Sequence, residues 1–213
     1  MVIRGVSLQH KGGHYHYKLH NLKLNSLGFE YPKLIWHLNR MFEDCPNDYF
    51  ENGPRSSALK FKLNDLNVHQ IVGHEISNLC RIGLSVNRER FRDNHQKVQV
   101  FMLENDDKTV GMEVPIWLNK EEYENYREVF NSEAPLTGHI DVLRIDDGRI
   151  WIWDYKPNAF NEKFASTQTF FYALMLSKRT GIPLEKFRCG YFDENYAFIF
   201  KPELKNLIKE SLL

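Results

Sequence analysis

Residues 138–156 read GHIDVLRIDDGRIWIWDYK, two apolar runs separated by an Asp-Asp-Gly tripeptide. Asp-Gly between two strand-like runs is the strongest short-range signal for a β-hairpin. A two-residue turn at 147–148 places Asp141 directly opposite Asp154, with Cβ atoms about 4.5–5.5 Å apart. Lys156 shares the face of Asp154, because side chains alternate along a strand.

The predicted hairpin therefore gathers two carboxylates and one ammonium group on one patch of sheet. Two neighbouring carboxylates repel each other unless a cation or a proton lies between them. Oxygen ligands favour hard divalent cations. The sequence thus predicts that Asp141 and Asp154 bind Mg²⁺ or Mn²⁺.

The composition is typical of one folded domain with a sizeable core. The chain has 213 residues, of which 42% are hydrophobic and 14% aromatic, and this excludes a disordered protein. The formal net charge is zero, so overall charge does not indicate a nucleic-acid partner. We predict a single domain, 1–213, whose residues 1–60 form a basic, aromatic-rich N-terminal region.

A second basic cluster contains Arg88, Arg90 and Arg92, which alternate with other residues. Local basic patches bind phosphate even where the net charge is zero. We predict that these arginines contact phosphates of a substrate, and a solvated loop is the alternative interpretation.

Periodicity predicts helices followed by strands, then a helix and two more strands. The predicted helices are Lys33–Phe42, Asn64–Leu84, Lys120–Phe130 and Glu162–Thr180, and the predicted strands outside the hairpin are Val98–Leu103, Thr109–Leu118, Phe187–Phe192 and Tyr196–Phe200. This order indicates an α+β or mixed α/β fold with one central, mostly antiparallel sheet.

The cysteines are few, scattered and odd in number, which suits a reducing compartment. The N-terminus has no long apolar segment, and no run approaches the roughly 18 apolar residues of a membrane span. We therefore expect an intracellular, cytoplasmic protein without a membrane partner.

Three short motifs follow one another in order: GxxD at 138–141, DxK at 154–156 and QxxxY at 168–172. Placed on strand, strand and helix, they resemble the PD-(D/E)xK nuclease superfamily, in the RecB-like exonuclease branch that includes CRISPR-associated members. The resemblance implies a restriction-endonuclease-like central mixed sheet flanked by helices, with the catalytic core at 95–200.

The resemblance also implies roles for individual residues. Asp141 and Asp154 would bind the metal together with the backbone carbonyl of Tyr155. His74, in Gly-His-Glu on a predicted helix, resembles the family histidine that completes the metal shell. Lys156 would orient or help deprotonate the attacking water, or stabilise charge in the transition state.

Further positions are implied around this centre. Gln168 and Tyr172, one helical turn apart, would contact the DNA backbone or support the metal ligands. Glu113 is a possible contact of metal or water, and a salt bridge is an equal alternative. His139 lies on the face of Asp141 and is a possible contact of the substrate.

The chain departs from the iron–sulfur members of that branch, which use four cysteines. Cys45 stands in a CPxxY-like segment similar to theirs, but only Cys189 lies near the C-terminus. Four thiolate ligands cannot come from three cysteines. We predict no iron–sulfur cluster and assign Cys45 to packing.

The function predicted from these residues and the resemblance is a metal-dependent DNA exonuclease that prefers single-stranded ends. A 5′-to-3′ direction is implied by the resemblance alone. The alternatives are a single-strand or structure-specific endonuclease, a non-catalytic nucleic-acid-binding module, and a structural protein in which the DxK sequence is accidental. Protein partners are not predicted.

Overall fold

The structure is a computed structural model that describes residues 2–207. Its strands, in chain order, are β1 (Ile3–His10), β2 (Gly13–His20), β3 (His69–Val72), β4 (Thr109–Leu118), β5 (Leu136–Asp146), β6 (Arg149–Tyr155), β7 (Phe187–Phe192) and β8 (Tyr196–Phe200). Its α-helices are α1 (Asn21–Leu27), α2 (Pro32–Arg40), α3 (Tyr49–Asn52), α4 (Glu75–Val86), α5 (Asn94–Asn105), α6 (Tyr126–Phe130) and α7 (Ala165–Thr180).

The eight strands form one mixed sheet in the order β1-β2-β4-β5-β6-β7-β8-β3. Neighbouring strands are antiparallel except β6 and β7, which are parallel and are connected through α7. Parallel neighbours need such a crossover connection. The central mixed sheet flanked by helices confirms the predicted fold class.

The β5–β6 hairpin has the predicted turn and register. Asp147 and Gly148 have φ values of 47° and 61°, so both adopt the left-handed conformation of a type I′ turn. The ladder continues to Val142 opposite Trp153. The next residues of the two strands are Asp141 and Asp154, which confirms the predicted pairing of the two strands up to the site.

The predicted strand Val98–Leu103 is wrong, because these residues belong to α5. Asp93 caps this helix by accepting hydrogen bonds from the backbone N–H groups of His95 and Gln96. All six residues of the predicted strand are buried. A helical segment that is buried on all sides has no amphipathic periodicity. The alternation of Val98 and Val100 therefore gives the pattern of a strand.

The predicted helix Asn64–Leu84 is correct only in its second half. The first half contains the edge strand β3, and Gly73 ends it with a φ of 71°. His74 then caps α4, since its Nδ1 accepts a hydrogen bond from the backbone N–H of Ile76. The left-handed glycine breaks what the apolar pattern suggested was one continuous helix.

Helices cover both faces of the sheet around the β5–β6 hairpin. The long helix α7 packs on one face against β4, β5, β6 and β7. On the other face, Ile76 and Cys80 of α4 and Val98 and Met102 of α5 pack against Trp153 of β6. Among residues 2–207, no helix is long and apolar enough to cross a membrane.

Candidate active site

Three carboxylates lie in a row across β4, β5 and β6. The β4–β5 register places Glu113 level with Asp141, and the hairpin register places Asp141 next to Asp154. Glu113 has a φ of 51°, a left-handed conformation in the middle of a strand. Such conformations are costly for non-glycine residues and are concentrated at functional sites.

The three carboxylates share one buried, negatively charged environment. Burial and then the neighbouring Asp141 raise the pKa of Glu113 above its ordinary value. Burial and then Asp154 raise the pKa of Asp141 in the same direction. Glu113 and Asp141 therefore keep their protons to higher pH than exposed carboxylates do.

Both oxygens of Asp154 are fixed by groups on neighbouring elements. Oδ1 accepts a hydrogen bond of 3.1 Å from Nε2 of Gln168, and the same amide group donates to the Tyr172 hydroxyl at 2.7 Å. Oδ2 lies 2.7 Å from Nζ of Lys156 in an ion pair. That oxygen is buried and accepts no well-aligned hydrogen bond from residues 2–207.

Lys156 carries a positive charge in this position. Burial opposes that charge, but the Asp154 and Asp141 carboxylates outweigh it and raise the pKa of Lys156 above its ordinary value. The ammonium group can therefore donate hydrogen bonds to an oxyanion beside the carboxylates.

Asp141 lies where β5 and β6 begin to separate. Its Oδ2 accepts a hydrogen bond of 2.9 Å from the backbone N–H of Tyr155. His95 approaches from the start of α5, with Nε2 3.8 Å from the same oxygen and its ring edge-on to the Tyr155 ring. The Tyr155 carbonyl as a metal ligand stays a prediction.

His74 does not lie at this site, and its predicted role in the metal shell is wrong. Its Nδ1 caps α4, and its ring packs against Trp153 at 5.5 Å between centroids. Trp153 and Asp154 are consecutive on β6 and point to opposite faces of the sheet. The histidine that reaches the carboxylates is His95, which the sequence analysis missed.

The structure does not bring the predicted arginines into the active-site cavity. Arg90 makes a two-point ion pair with Glu104, at 2.7 and 2.8 Å. Arg88 pairs with its exposed neighbour Glu89, and Arg92 is exposed. None of the three lines the cavity. Phosphate contacts by Arg88 and Arg92 stay a prediction.

The carboxylate row forms the floor of a cavity of about 280 Å³. One wall comes from β2, where Tyr15 stacks on His139 with ring centroids 3.7 Å apart. The Arg55 guanidinium lies over the Tyr15 ring at 5.3 Å. The sequence predicted an aromatic, basic N-terminal region but could not place Tyr15 and Arg55 beside Asp141.

His139 supports this wall as a neutral residue. Its Nε2 is hydrogen-bonded to Nδ1 of His10 at 2.8 Å. Burial and then the neighbouring His10 lower the pKa of His139. Both rings are buried, and Phe50 stacks on His10 with centroids 4.0 Å apart. His139 thus lies beside the site and holds the N-terminal hairpin against β5.

The glycine of the GxxD motif has a steric role. A Cβ atom at Gly138 would collide with the Tyr172 ring and with Oγ of Ser56. The missing side chain lets Tyr172 lie directly against β5, where its hydroxyl accepts the hydrogen bond from Gln168.

The residues present fit a hard divalent cation. Three carboxylates share one ammonium group, that of Lys156, and burial and mutual repulsion raise the pKa values of Glu113 and Asp141, so the site can accept further positive charge. Within residues 2–207, no three histidine, cysteine, aspartate or glutamate side chains already form a closed ligand cluster. Asp141 and Asp154 would hold the cation, with Glu113 and His95 beside them and water completing its shell.

A family model described as the PD-(D/E)XK nuclease superfamily matches residues 61–209, more than half of the chain. No curated protein and no solved structure matches the chain. The matched range contains all three motifs and begins after the N-terminal hairpin. Together with the eight-stranded mixed sheet and its flanking helices, this match confirms the restriction-endonuclease-like fold.

Proposed function

The chain belongs to the PD-(D/E)XK nuclease superfamily, and on this premise we propose that it is a deoxyribonuclease of the RecB-like branch that degrades single-stranded ends. It would hydrolyse phosphodiester bonds with Mg²⁺ or Mn²⁺. The observation that carries this proposal is the row of three carboxylates, of which Asp141 and Asp154 are buried and Glu113 is half-buried, beside the charged Lys156.

Different side chains of the site would have different roles in hydrolysis. Asp141 and Asp154 would hold the cation, which lowers the pKa of bound water and neutralises developing charge. Lys156 would donate hydrogen bonds to the phosphate oxygens as negative charge accumulates on them. Gln168 and Tyr172 fix the orientation of the Asp154 carboxylate, and His95 approaches Asp141 from the other side.

The lining of the active-site cavity, which has a volume of about 280 Å³, supports a single-stranded substrate. The wall of Tyr15, Arg55 and His139 offers aromatic surface and positive charge, which single strands require.

End-labelled linear and circular single-stranded DNA test the proposal. With Mg²⁺ or Mn²⁺ we expect digestion of the linear strand, no cleavage of the circle, and loss of activity in Asp154→Asn and Lys156→Gln. Asp146→Asn, at the turn end of the same hairpin, is the matched control and should stay active. Full activity of the Asp154 or Lys156 variant would refute the assignment.

The same experiment decides between the remaining alternatives. Cleavage of the circular strand would indicate an endonuclease, because an exonuclease needs an end. Binding that is insensitive to EDTA, without cleavage at any metal concentration, would indicate a non-catalytic module. Labels at the 5′ and 3′ ends report the direction, for which the RecB-like resemblance implies 5′-to-3′, and a matched RNA strand reports the sugar preference.

A further inference from the structure

A second groove lies on the sheet face opposite the carboxylates. It crosses β6, β7, β8 and β3 and has a volume of about 450 Å³. Trp151 on its floor and Asp154 in the active site are both on β6, about 10 Å apart along the strand and on opposite faces. The residues that shape the groove are His69, Trp151, Arg188, Ile199, Lys201 and Lys205.

The floor of the groove offers a flat aromatic surface. The Trp151 ring is half-buried and stacks on Trp153, with centroids 5.4 Å apart and an interplanar angle of 8°. Trp153 thus covers one face of the Trp151 ring, while Trp151 itself lines the groove. A partly covered indole beside Ile199 is a platform on which a planar group can stack.

The wall of the groove carries an arginine without an acidic partner. The Arg188 guanidinium donates to the backbone carbonyls of Glu185 and Phe187, and within residues 2–207 it forms no ion pair with a carboxylate. Burial and then the positive charge of Arg149 lower the pKa of Arg188. Arg188 thus lies near a second positive charge and, within the described residues, has no carboxylate partner.

The rim adds further positive charge. Lys201 and Lys205 both pair with Glu203, at 3.0 and 2.6 Å. One carboxylate thus meets two ammonium groups, and Asp65 is a second, more distant carboxylate near Lys205, so the excess positive charge lies at the Lys201 end of the rim and at Arg188. Because the formal charge of the whole chain is zero, this local excess of cations marks the groove as a surface for an anion.

We propose that this groove binds a segment of single-stranded nucleic acid, with a base stacked on Trp151 and phosphates beside Arg188 and Lys201. The proposal rests on the proposed function only in taking nucleic acid as the substrate. Stacking on aromatic rings and cations along the backbone are the two elements of single-strand binding. An acidic peptide would account for the cations but not for the half-buried indole between them.

Binding of a labelled single strand of about 30 nucleotides to the full chain tests this inference, by fluorescence anisotropy in EDTA over a range of salt concentrations. Arg188→Ala and Lys201→Ala should each reduce the slope of log affinity against log salt by about 0.7. Trp151→Leu should weaken binding about 5-fold or more and leave the slope unchanged. Arg127→Ala removes an exposed cation that lines neither cavity and is the matched control.

Cleavage of a dinucleotide, which occupies the active site alone, should be unchanged in all four variants. Lys201 is 49% exposed, so its variant tests the groove without endangering the fold. Salt slopes equal to that of Arg127→Ala would overturn the inference. Binding of a poly-glutamate peptide to the groove, without binding of the single strand, would also overturn the inference. If the salt slopes change but the protein has no nuclease activity, the proposed nuclease function is refuted and the inference about the groove still holds.

Discussion

Replacing Asp141 with asparagine should stabilise the metal-free protein and abolish its response to Mg²⁺ or Mn²⁺. Burial and the charge of Asp154 raise the pKa of Asp141, so at pH 8 its ionised form is held against repulsion. Two charges about 5 Å apart, with an effective dielectric constant near 20, repel by about 3 kcal/mol. Asparagine removes the charge, and its carbonyl oxygen can still accept the Tyr155 N–H bond.

The stabilisation in EDTA and the lost stabilisation by the cation have opposite signs and similar sizes. For a domain of this length, roughly 2–4 °C of melting temperature corresponds to 1 kcal/mol, so the variant should melt about 6–12 °C above the wild type in EDTA. A cation at about 100 times its dissociation constant stabilises a binding protein by about 2.7 kcal/mol. The wild type should gain this amount with Mn²⁺, and the variant should gain nothing.

Thermal denaturation at pH 8, in EDTA and in Mn²⁺, measures both quantities. Asp146→Asn is the control, because it makes the same substitution on the same strand. It loses the ion pair with Lys108, worth at most about 1 kcal/mol, and should keep the full response to Mn²⁺. The reasoning fails if Asp141→Asn melts below the wild type in EDTA, or if both variants gain equally from Mn²⁺.

Four further predictions concern single side chains. In the metal-free protein, Asp141→Asn should raise the urea midpoint more at pH 8 than at pH 5. The folded pKa of Asp141 lies above its unfolded value near 4, so the stability from its bound proton is lost as pH rises through the folded value, and asparagine has no such loss. An equal effect at the two pH values would contradict this. Lys156→Gln should lower kcat about 100-fold or more yet leave the melting shift with Mn²⁺ intact, and a lost shift would make Lys156 part of the metal site. His95→Ala should reduce activity about 10-fold or more. His74→Ala should only destabilise the fold by about 1 kcal/mol through its lost helix cap, and equal activities of these two variants would count against the corrected assignment.

The hairpin could be predicted because its information is local. The turn at 147–148 needs two consecutive left-handed residues, and an Asp-Gly pair supplies them. Once the turn is fixed, period-two alternation places Asp141, Asp154 and Lys156 without reference to any other part of the chain. The wall formed by Tyr15 and Arg55 could not be predicted, since it depends on contacts with β5 across long stretches of sequence.

The sequence predicts His74 at the carboxylates, whereas the structure places His95 there, and this difference has a physical cause. Two helices have a histidine in or beside their first turn, His74 at α4 and His95 at α5. The buried middle of α5 lacks amphipathic periodicity, so its sequence resembles a strand and gives no sign that His95 begins a helix. The capping residue Asp93 was the available signal for a helix at this point.

The wall of the active-site cavity and the sequence motifs come from different parts of the chain. All three motifs lie within the family-matched residues 61–209, whereas Tyr15 and Arg55 lie before them. β2 is hydrogen-bonded to β4 at only two residue pairs, but its Tyr17 and Leu19 are fully buried in the main core. The wall above the carboxylates therefore comes from residues outside the matched range, although those residues fold into the same core as the motifs.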